Sequence, residues 1–295
     1  MRPTTTTTPT EAAPIEAAPT ASFAIAVVTH DSLADLERCF ASHEAASRRL
    51  GADLVAVDNA SSDGTLQFLR ARERESRRIR VVAMPRNAGY AAAVNAAFAA
   101  TGSRDVLLVN PDVATDDPGA LGDLVEFLRR RPDVALVAPR LHGADGEAQP
   151  SARRFPSLPA LLGTLDGARR IAPLRRAHEA YVAPSAATRA VAVDWAIGAA
   201  MLIRRAAFDG VGGWDERFFL YMEDTDFCRR CNAAGWRVVY LPTTALEHGY
   251  RRASSRSASI ASSSARRHHV AGLARLFGRD PRMIVGRSRA RVEAR

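Results

Sequence analysis

Three carboxylates, Glu223, Asp224 and Asp226, stand within four positions, directly behind the apolar run Phe218-Phe-Leu-Tyr-Met222. Charge placed beside apolar surface is costly unless a cation or a donor compensates it. Two kinds of chemistry repay that cost, holding a metal ion and accepting a proton. Further polar groups close apolar runs elsewhere. Thr29-His30-Asp31 follows Phe23 to Val28, Asp58 follows Asp53 to Val57, Asn110-Pro-Asp112 follows Val106 to Val109, and His248 follows Trp236 to Leu241 after a short gap.

Taken singly, each has an ordinary reading. Asn-Pro-Asp is a turn signal. Asp58 precedes Ser61-Ser-Asp-Gly-Thr65, where Ser62 or Asp63 could cap a helix. Arg86-Asn-Ala-Gly-Tyr90 with Asn95 could be a strand-to-helix loop, and a lone histidine is more often structural than a ligand. The Glu-Asp-Thr-Asp run could be acidic charge favoured at a helix N-terminus. Their order along one chain is the informative feature.

The elements around them alternate. Residues 23–28, 53–57, 79–83 and 106–109 are short apolar runs, and helical spacing appears between them, over 33–49, 65–74 and 91–100. Strands apolar on both faces and alternating with helices predict a parallel sheet covered on both sides. Ligands bind beyond the carboxyl ends of such strands, where the polar groups fall. Later, 121–130 reads as helix and 134–138 as strand, while 140–190 reads as irregular loop with one helix. Residues 191–203 resume the core, the carboxylate run leads into a helix through Ala234, and 236–241 is the last strand.

The bulk numbers fit one large domain. The chain has 295 residues, 47% apolar and 25% charged. All 41 basic residues are arginine, and the net charge of +9 is uneven. Residues 251–295 carry 12 arginines against Asp280 and Glu293, a local charge of +10, so the preceding 250 residues are close to neutral. Residues 1–21, rich in Thr, Pro and Ala, are expected to form a disordered leader, 22–250 the folded domain, and 251–295 a basic tail with a helix around 268–277. Cys228-Arg-Arg-Cys231 has metal-like spacing but no second pair, so it is read as coincidence on an exposed helix. Three cysteines and no apolar signal segment suit a cytoplasmic setting.

In this order the segments resemble family-2 glycosyltransferases, in their rhamnosyltransferase-like group. The carriers are Val57-Asp-Asn-Ala-Ser-Ser-Asp-Gly-Thr65, Asn87-Ala-Gly-Tyr-Ala91 with Asn95, Asn110-Pro-Asp112, Asp194-Trp-Ala-Ile-Gly-Ala199, Val211-Gly-Gly-Trp-Asp-Glu216 and Phe218 to Asp226. Gly235-Trp236 and Pro242 with His248 complete the set. Phe155-Pro-Ser-Leu-Pro159 is also similar to enzymes adding rhamnose to polyprenyl-diphosphate-linked N-acetylglucosamine.

The resemblance implies an α/β domain of GT-A type and inverting sugar transfer from a nucleotide diphosphate, with L-rhamnose from dTDP-rhamnose as the expected donor. It implies Asp224 as general base, Asp112 and His248 as contacts for Mg2+ or Mn2+, and Thr29, Asp58, Asn87 and Asn110 on the nucleotide sugar. Trp195, Gly198, Trp214, Asp215 and Glu223 are implied on the acceptor side. His30-Asp31 departs from the family's usual Tyr-Asn, Ala97 replaces a common glycine, and Asn110 stands at the first position of the metal motif.

Three alternatives compete with that enzyme. A catalytically silent nucleotide-sugar-binding protein has no chemical need for Asp112, Asp224 and His248 together. A transferase of the same fold could take a UDP-sugar. Nucleic-acid binding through the arginines lacks any recognition motif, so no nucleic-acid partner is expected. The tail suits either contact with the anionic inner face of the plasma membrane, beside a glycan or lipid-linked acceptor, or plain solvation.

Overall fold

The computed structural model describes residues 23–165, 167–249 and 264–286. The leader expected over 1–21 therefore lies outside the described residues, as do 250–263 and 287–295 of the basic segment.

The first half alternates as its apolar runs require. Strand β1 (Phe23–Thr29) is followed by α1 (Leu33–Leu50), β2 (Asp53–Asp58), α2 (Thr65–Glu75), β3 (Ile79–Ala83), α3 (Tyr90–Ala99) and β4 (Asp105–Val109). The four strands are parallel in the order β3-β2-β1-β4, with Thr29 level with Asp58. All seven residues of β1 are buried, because its two faces serve two cores. Ala26 and Val28 pack with α3, while Ile25 and Val27 pack with α1, as the two-residue period of a strand dictates.

The second half departs from simple alternation. It runs β5 (Val113–Ala114), α4 (Pro118–Arg129), β6 (Val134–His142), β7 (Ala148–Gln149), β8 (Ala152–Arg153), α5 (Leu158–Leu162), α6 (Ala172–Val182), β9 (Val191–Val193), β10 (Trp195–Ala196) and β11 (Ala200–Arg204). Helices α7 (Arg205–Gly210) and α8 (Glu223–Ala233), strand β12 (Arg237–His248) and α9 (Ser264–Arg279) complete it. The sheet continues β4-β11-β6-β12-β5, with β11 antiparallel to both neighbours. The sheet is therefore mixed, though its long strands are mostly parallel. Reversal of β11 has a consequence for the site. The residues just before it, Gly198 and Ala199, come to the carboxyl end of β4, where Asn110 N–H donates to Ala199 O at 2.8 Å.

Strand β12 is also longer than the sequence suggests. An irregularity between Leu241 and Ala245 lets it pass Pro242 and resume beside β6, carrying His248 to β5. Pairing through a bulge left no apolar alternation to read. Residues 140–190 hold two α-helices where mostly irregular loop was expected.

Helix α9 exceeds its expected span and is not a solvated appendage. Its Leu276, and Met283 just beyond it, are fully buried in the core beside α8. Cys228 and Cys231 lie on the inward face of α8, not on an exposed helix as expected, and burial pushes the Cys231 thiol up to about 12. No described helix is long and apolar enough to cross a membrane.

Candidate active site

The carboxyl ends of β1 and β2 form one side of the site. Asp58 is buried, accepts from Ser61 N–H through Oδ2 at 3.2 Å, and keeps Oδ1 buried with no hydrogen-bond partner. A buried acceptor without a donor is rare, and at a strand end it calls for a ligand donor. Thr29 lies beneath. Its hydroxyl donates to Val57 O at 3.1 Å, so it braces the strand end and does not present that proton to a ligand. Asn59, a strand-end residue to which the sequence assigned no site role, ties this edge to the next loop: its amide donates to Asn87 Oδ1 at 3.0 Å and its Oδ1 accepts from Ala88 N–H at 3.0 Å. His30 and Asp31, the departures from the family pattern, lie on the exposed rim of the same edge, where Asp31 Oδ1 accepts from Ser62 N–H at 2.7 Å.

Asp112 and His248 meet at the β5–β12 pairing. Asp112 Oδ2 lies 3.5 Å from His248 Nε2. Gln149 sets the imidazole's proton. Its amide nitrogen donates to His248 O at 3.1 Å, and a carbonyl can only accept, so Gln149 Oε1 is the atom 2.7 Å from His248 Nδ1. In the neutral ring Nδ1 therefore carries the hydrogen, and the Nε2 lone pair faces a carboxylate. Two acceptors facing each other suit a divalent cation, the carboxylate as a hard oxygen donor and the imidazole as a nitrogen ligand. Among the described residues no group of three or more His, Cys, Asp or Glu could hold a metal, so a cation bound here would rest on these two side chains.

Asp224 opens α8. Its Oδ2 accepts from Gly198 N–H at 3.0 Å, and its Oδ1 accepts from Thr225 N–H at 2.6 Å and from the Thr225 hydroxyl at 3.2 Å. Burial raises its pKa, and these donors only partly offset the rise. Glu223 beside it is 5% exposed, with Oε2 buried and unpartnered. Burial, then the Asp224 charge, push the Glu223 carboxyl well above the usual carboxylate range. Two adjacent buried carboxylates titrate as a pair, and the one with fewer donors keeps the proton. Glu223 is thus the member of the pair that holds its proton to higher pH, and its side chain is buried, not on an open acceptor surface as expected.

That assignment fixes a sign. Folded Glu223 binds its proton over a pH range in which the unfolded chain, with an ordinary value of about 4.3, has lost it. In that window the native state holds more protons, so stability falls as pH rises. Glu223→Gln copies the protonated carboxyl and is expected to flatten the fall, giving a melting temperature at or above wild type at mildly alkaline pH. A lower melting temperature than wild type across the whole pH range would assign Glu223 a charged structural role.

Tyr90 joins the two halves. Its hydroxyl lies 2.9 Å from both Asn110 Oδ1 and Gly198 O, and its single proton serves one of them at a time. Burial raises the phenol's pKa, and Glu223, Asp224 and Asp112 all stand close enough to raise it further. The three carboxylates therefore lie within electrostatic reach of one phenol. Asn-Ala-Gly-Tyr was legible as a motif, but nothing local marks Tyr90 as the shared centre.

The loop before α8 is held under strain. Tyr221 and Met222 have φ of 70° and 72°, which non-glycine residues rarely adopt. Two neighbours fix it. Phe219 O accepts from Tyr90 N–H at 2.8 Å, an approach open only because Gly89 lacks a Cβ; one would lie 2.5 Å from that oxygen, at φ 92°. On the other side Gly272 of α9 packs against Tyr221 O, and His268 stacks on Phe219 at 4.6 Å. Gly89→Ala is expected to cost about 2 kcal/mol of stability and to lower turnover by displacing Asp224. Thermal denaturation and initial rates on the same preparation check it, and unchanged values for both would mean that the loop is not held there.

The other expected acceptor residues divide. Gly198 and Trp214 are at the site: a Cβ on Gly198 would meet Trp214 at 3.2 Å and Tyr90 at 3.4 Å. Trp214 lies edge-on to Tyr90 and stacks on Phe227, with its indole N–H buried and unpartnered. Trp195 is core, donating its indole N–H to Arg154 O at 2.7 Å. Asp215 is engaged by Arg217 at 2.9 Å and by Arg279 of α9, and these contacts hold its carboxyl well below the usual range although burial opposes them. Asp226 is buried among Arg230 at 2.8 Å, Arg279 at 2.9 Å and Arg229 at 3.0 Å, so it locks α8 and is no rival to Asp224 as a base.

Comparison with known proteins accords with this geometry. The model for "Glycosyl transferase family 2" matches residues 24–209, and that for "Glycosyl transferase family group 2" matches 170–285. The N-acetylglucosaminyl-diphospho-decaprenol L-rhamnosyltransferase of Mycobacterium tuberculosis is 34% identical over 240 residues, 76% of this chain and 75% of that protein. Two solved structures share the fold. The Pyrobaculum calidifontis mannosyltransferase PcManGT in complex with GDP-Man and Mn2+ has a TM-score of 0.56 at 17% identity, over 82% of this chain and 62% of that one. GalNAc-T7 with UDP, GalNAc and Mn2+ has 0.60 at 14% identity, over 87% and 47%. The chain thus spans less than two thirds of either solved protein, and these likenesses concern the fold, which is of GT-A type. The matched model covers more than half of the sequence, and the chain belongs to glycosyl transferase family 2.

Proposed function

We propose that this glycosyltransferase moves L-rhamnose, with inversion, from dTDP-rhamnose to a hydroxyl of a polyprenyl-diphosphate-linked N-acetylglucosamine in cell-envelope polysaccharide synthesis. The observation that carries the reading is the link from Asp224 through Gly198 to the Tyr90 hydroxyl and on to Asn110 of the turn that bears Asp112, with His248 against Asp112 and Glu223 beside Asp224. A donor-side cation site and an acceptor-side base within one polar cluster suit a single displacement at an anomeric carbon.

Asp112 and His248 would hold the divalent cation, which when bound neutralises charge developing on the departing diphosphate. Asn110 keeps that turn in place through Tyr90, while Asp58 offers its unpartnered oxygen to the nucleotide's base or ribose. Asp224 takes the acceptor proton at a carboxylate oxygen. Gly198 N–H and Thr225 orient the carboxylate, and its raised pKa makes it a stronger base than a solvated aspartate. Glu223, neutral beneath it, keeps a second negative charge away. Trp214 and Gly198 wall the acceptor side. The setting that suits a lipid-linked acceptor is the cytoplasmic face of an anionic membrane, met by the arginines of 251–295.

The test is transfer of labelled rhamnose from dTDP-rhamnose to polyprenyl-diphospho-N-acetylglucosamine with Mn2+ or Mg2+, set against UDP-sugars. A disaccharide lipid formed from dTDP-rhamnose alone is the expected product. Exclusive use of a UDP-sugar would keep the reaction class and replace the donor.

A further inference from the structure

The large apolar side chains left exposed are not scattered over the described surface. Leu158, Leu162 and Leu165 follow one another at helical i, i+4, i+7 spacing along α5 and its end, and Ile171 opens α6. Ile284 and Val285 come from the turn after α9, 126 positions on from Leu158 in sequence, yet Leu158 N–H donates to Ile284 O at 3.0 Å. These six range from 38% exposed at Ile284 to 62% at Val285, and only Val270, on α9 itself, lies beyond them. Exposed leucines cost solubility, and a contiguous set on one face is unusual for a surface that meets only water.

Arginine is dense in the two segments that build this face. Residues 152–190 carry seven arginines against Asp166 and Glu179, and 264–286 carry five against Asp280. Arg169, Arg170, Arg175, Arg176, Arg266 and Arg282 are all exposed. Apolar side chains accompanied by exposed cations of the same segments complement an anionic bilayer, whose acyl boundary takes the leucines while its headgroups meet the guanidiniums.

The face also connects to the site. At one end of α9, His268 and Gly272 bear on Phe219 and Tyr221 of the strained loop before Asp224. At its other end Met283 is buried and Gly286 comes close enough to Ser157, directly before Leu158, that a Cβ there would lie 3.6 Å from it. From Gly272 to the end of the helix at Arg279 is about 10 Å of axial rise. An acceptor sugar on a lipid held at this face would lie within a short reach of the base.

We propose that the face built by Leu158, Leu162, Leu165, Ile171, Ile284 and Val285 seats on an anionic lipid bilayer and so presents the site to a lipid-linked acceptor. This deepens the reading of a lipid-linked substrate and rests on it for its purpose, although docking itself is measured without any substrate.

Full-length protein is mixed with vesicles of phosphatidylglycerol and phosphatidylcholine, or of phosphatidylcholine alone, and bound protein is measured by sedimentation at low and high salt. Wild type is expected on the anionic vesicles, by about fivefold per arginine engaged at low salt, with a residue of binding that salt does not remove. Leu162→Gln with Leu165→Gln is expected to weaken partitioning at least tenfold, leaving the melting temperature unchanged. Truncation is unsuitable because α9 belongs to the core. Binding by the double variant equal to wild type would overturn the proposal, and so would a wild type that ignores anionic vesicles. Concentration-dependent self-association lost in the variant, without vesicle binding, would reassign the face to a second copy of the chain. Transfer to a water-soluble short-chain acceptor, run alongside, separates the outcomes. Its failure sinks the proposed activity, and its persistence with vesicle binding lost confines the fault to docking.

Discussion

Asp224→Asn is expected to bind donor almost as wild type does and to lose at least 10²-fold in kcat, the usual yield of a positioned general base. The substitution keeps the shape of the side chain, and one oxygen can still accept from Gly198 N–H. What disappears is basicity, so single-turnover rates with donor saturating should fall while the donor Kd holds. Asp226 offers no rescue, because it is enclosed by Arg229, Arg230 and Arg279. Glu223 offers little either, since restoring its charge would place an unpartnered anion in the core. Normal turnover by Asp224→Asn, with Glu223→Gln inactive, would move the base to Glu223.

Asp112→Ala is expected to abolish transfer, with a loss of about 10³-fold, equivalent to the several kcal/mol that a cation contributes to a diphosphate leaving group. Excess chelator should do the same to wild type, and Mn2+ should restore the wild type but not the variant. His248→Gln should lose less, because Asp112 retains the charge. The fold should survive each change, since Asp112 meets α-carbon neighbours through its backbone, its carbonyl accepting from Gly249 N–H at 2.8 Å. Full activity in chelator would remove the cation from the mechanism and leave Asp112 and His248 as a structural pair.

The strand–helix alternation of the first half was readable because buried parallel strands must be apolar on both faces, and few other structures write that pattern. The polar groups at the strand ends, Asp58, Asn110 and Asp112, were readable for the same reason: polarity is tolerated there only beyond the sheet. Reversal of β11 left no trace, because a fully buried strand reads the same in either direction. The bulged course of β12 was equally silent, since its register depends on β6, a hundred residues away.

The roles among the acidic residues show the division most clearly. Glu223, Asp224 and Asp226 are three carboxylates in a row to a reader of the sequence, and the family resemblance alone favours the middle one. Their chemistry differs because one turn of helix aims them at different surroundings. Asp226 meets three guanidiniums, Asp224 meets the amide of Gly198 just ahead of a strand that enters from the opposite direction, and Glu223 meets no donor for one of its oxygens. The residues 251–295 made the converse error inviting, because arginine density suggests a solvated tail while Leu276 and Met283 bind down its described part, 264–286. Residue type and spacing by themselves determined the layers of the fold and which atoms could do chemistry. Only the tertiary structure decided which of those atoms is charged, neutral or enclosed, because a pKa depends on donors and charges that long-range folding alone brings within a few ångströms.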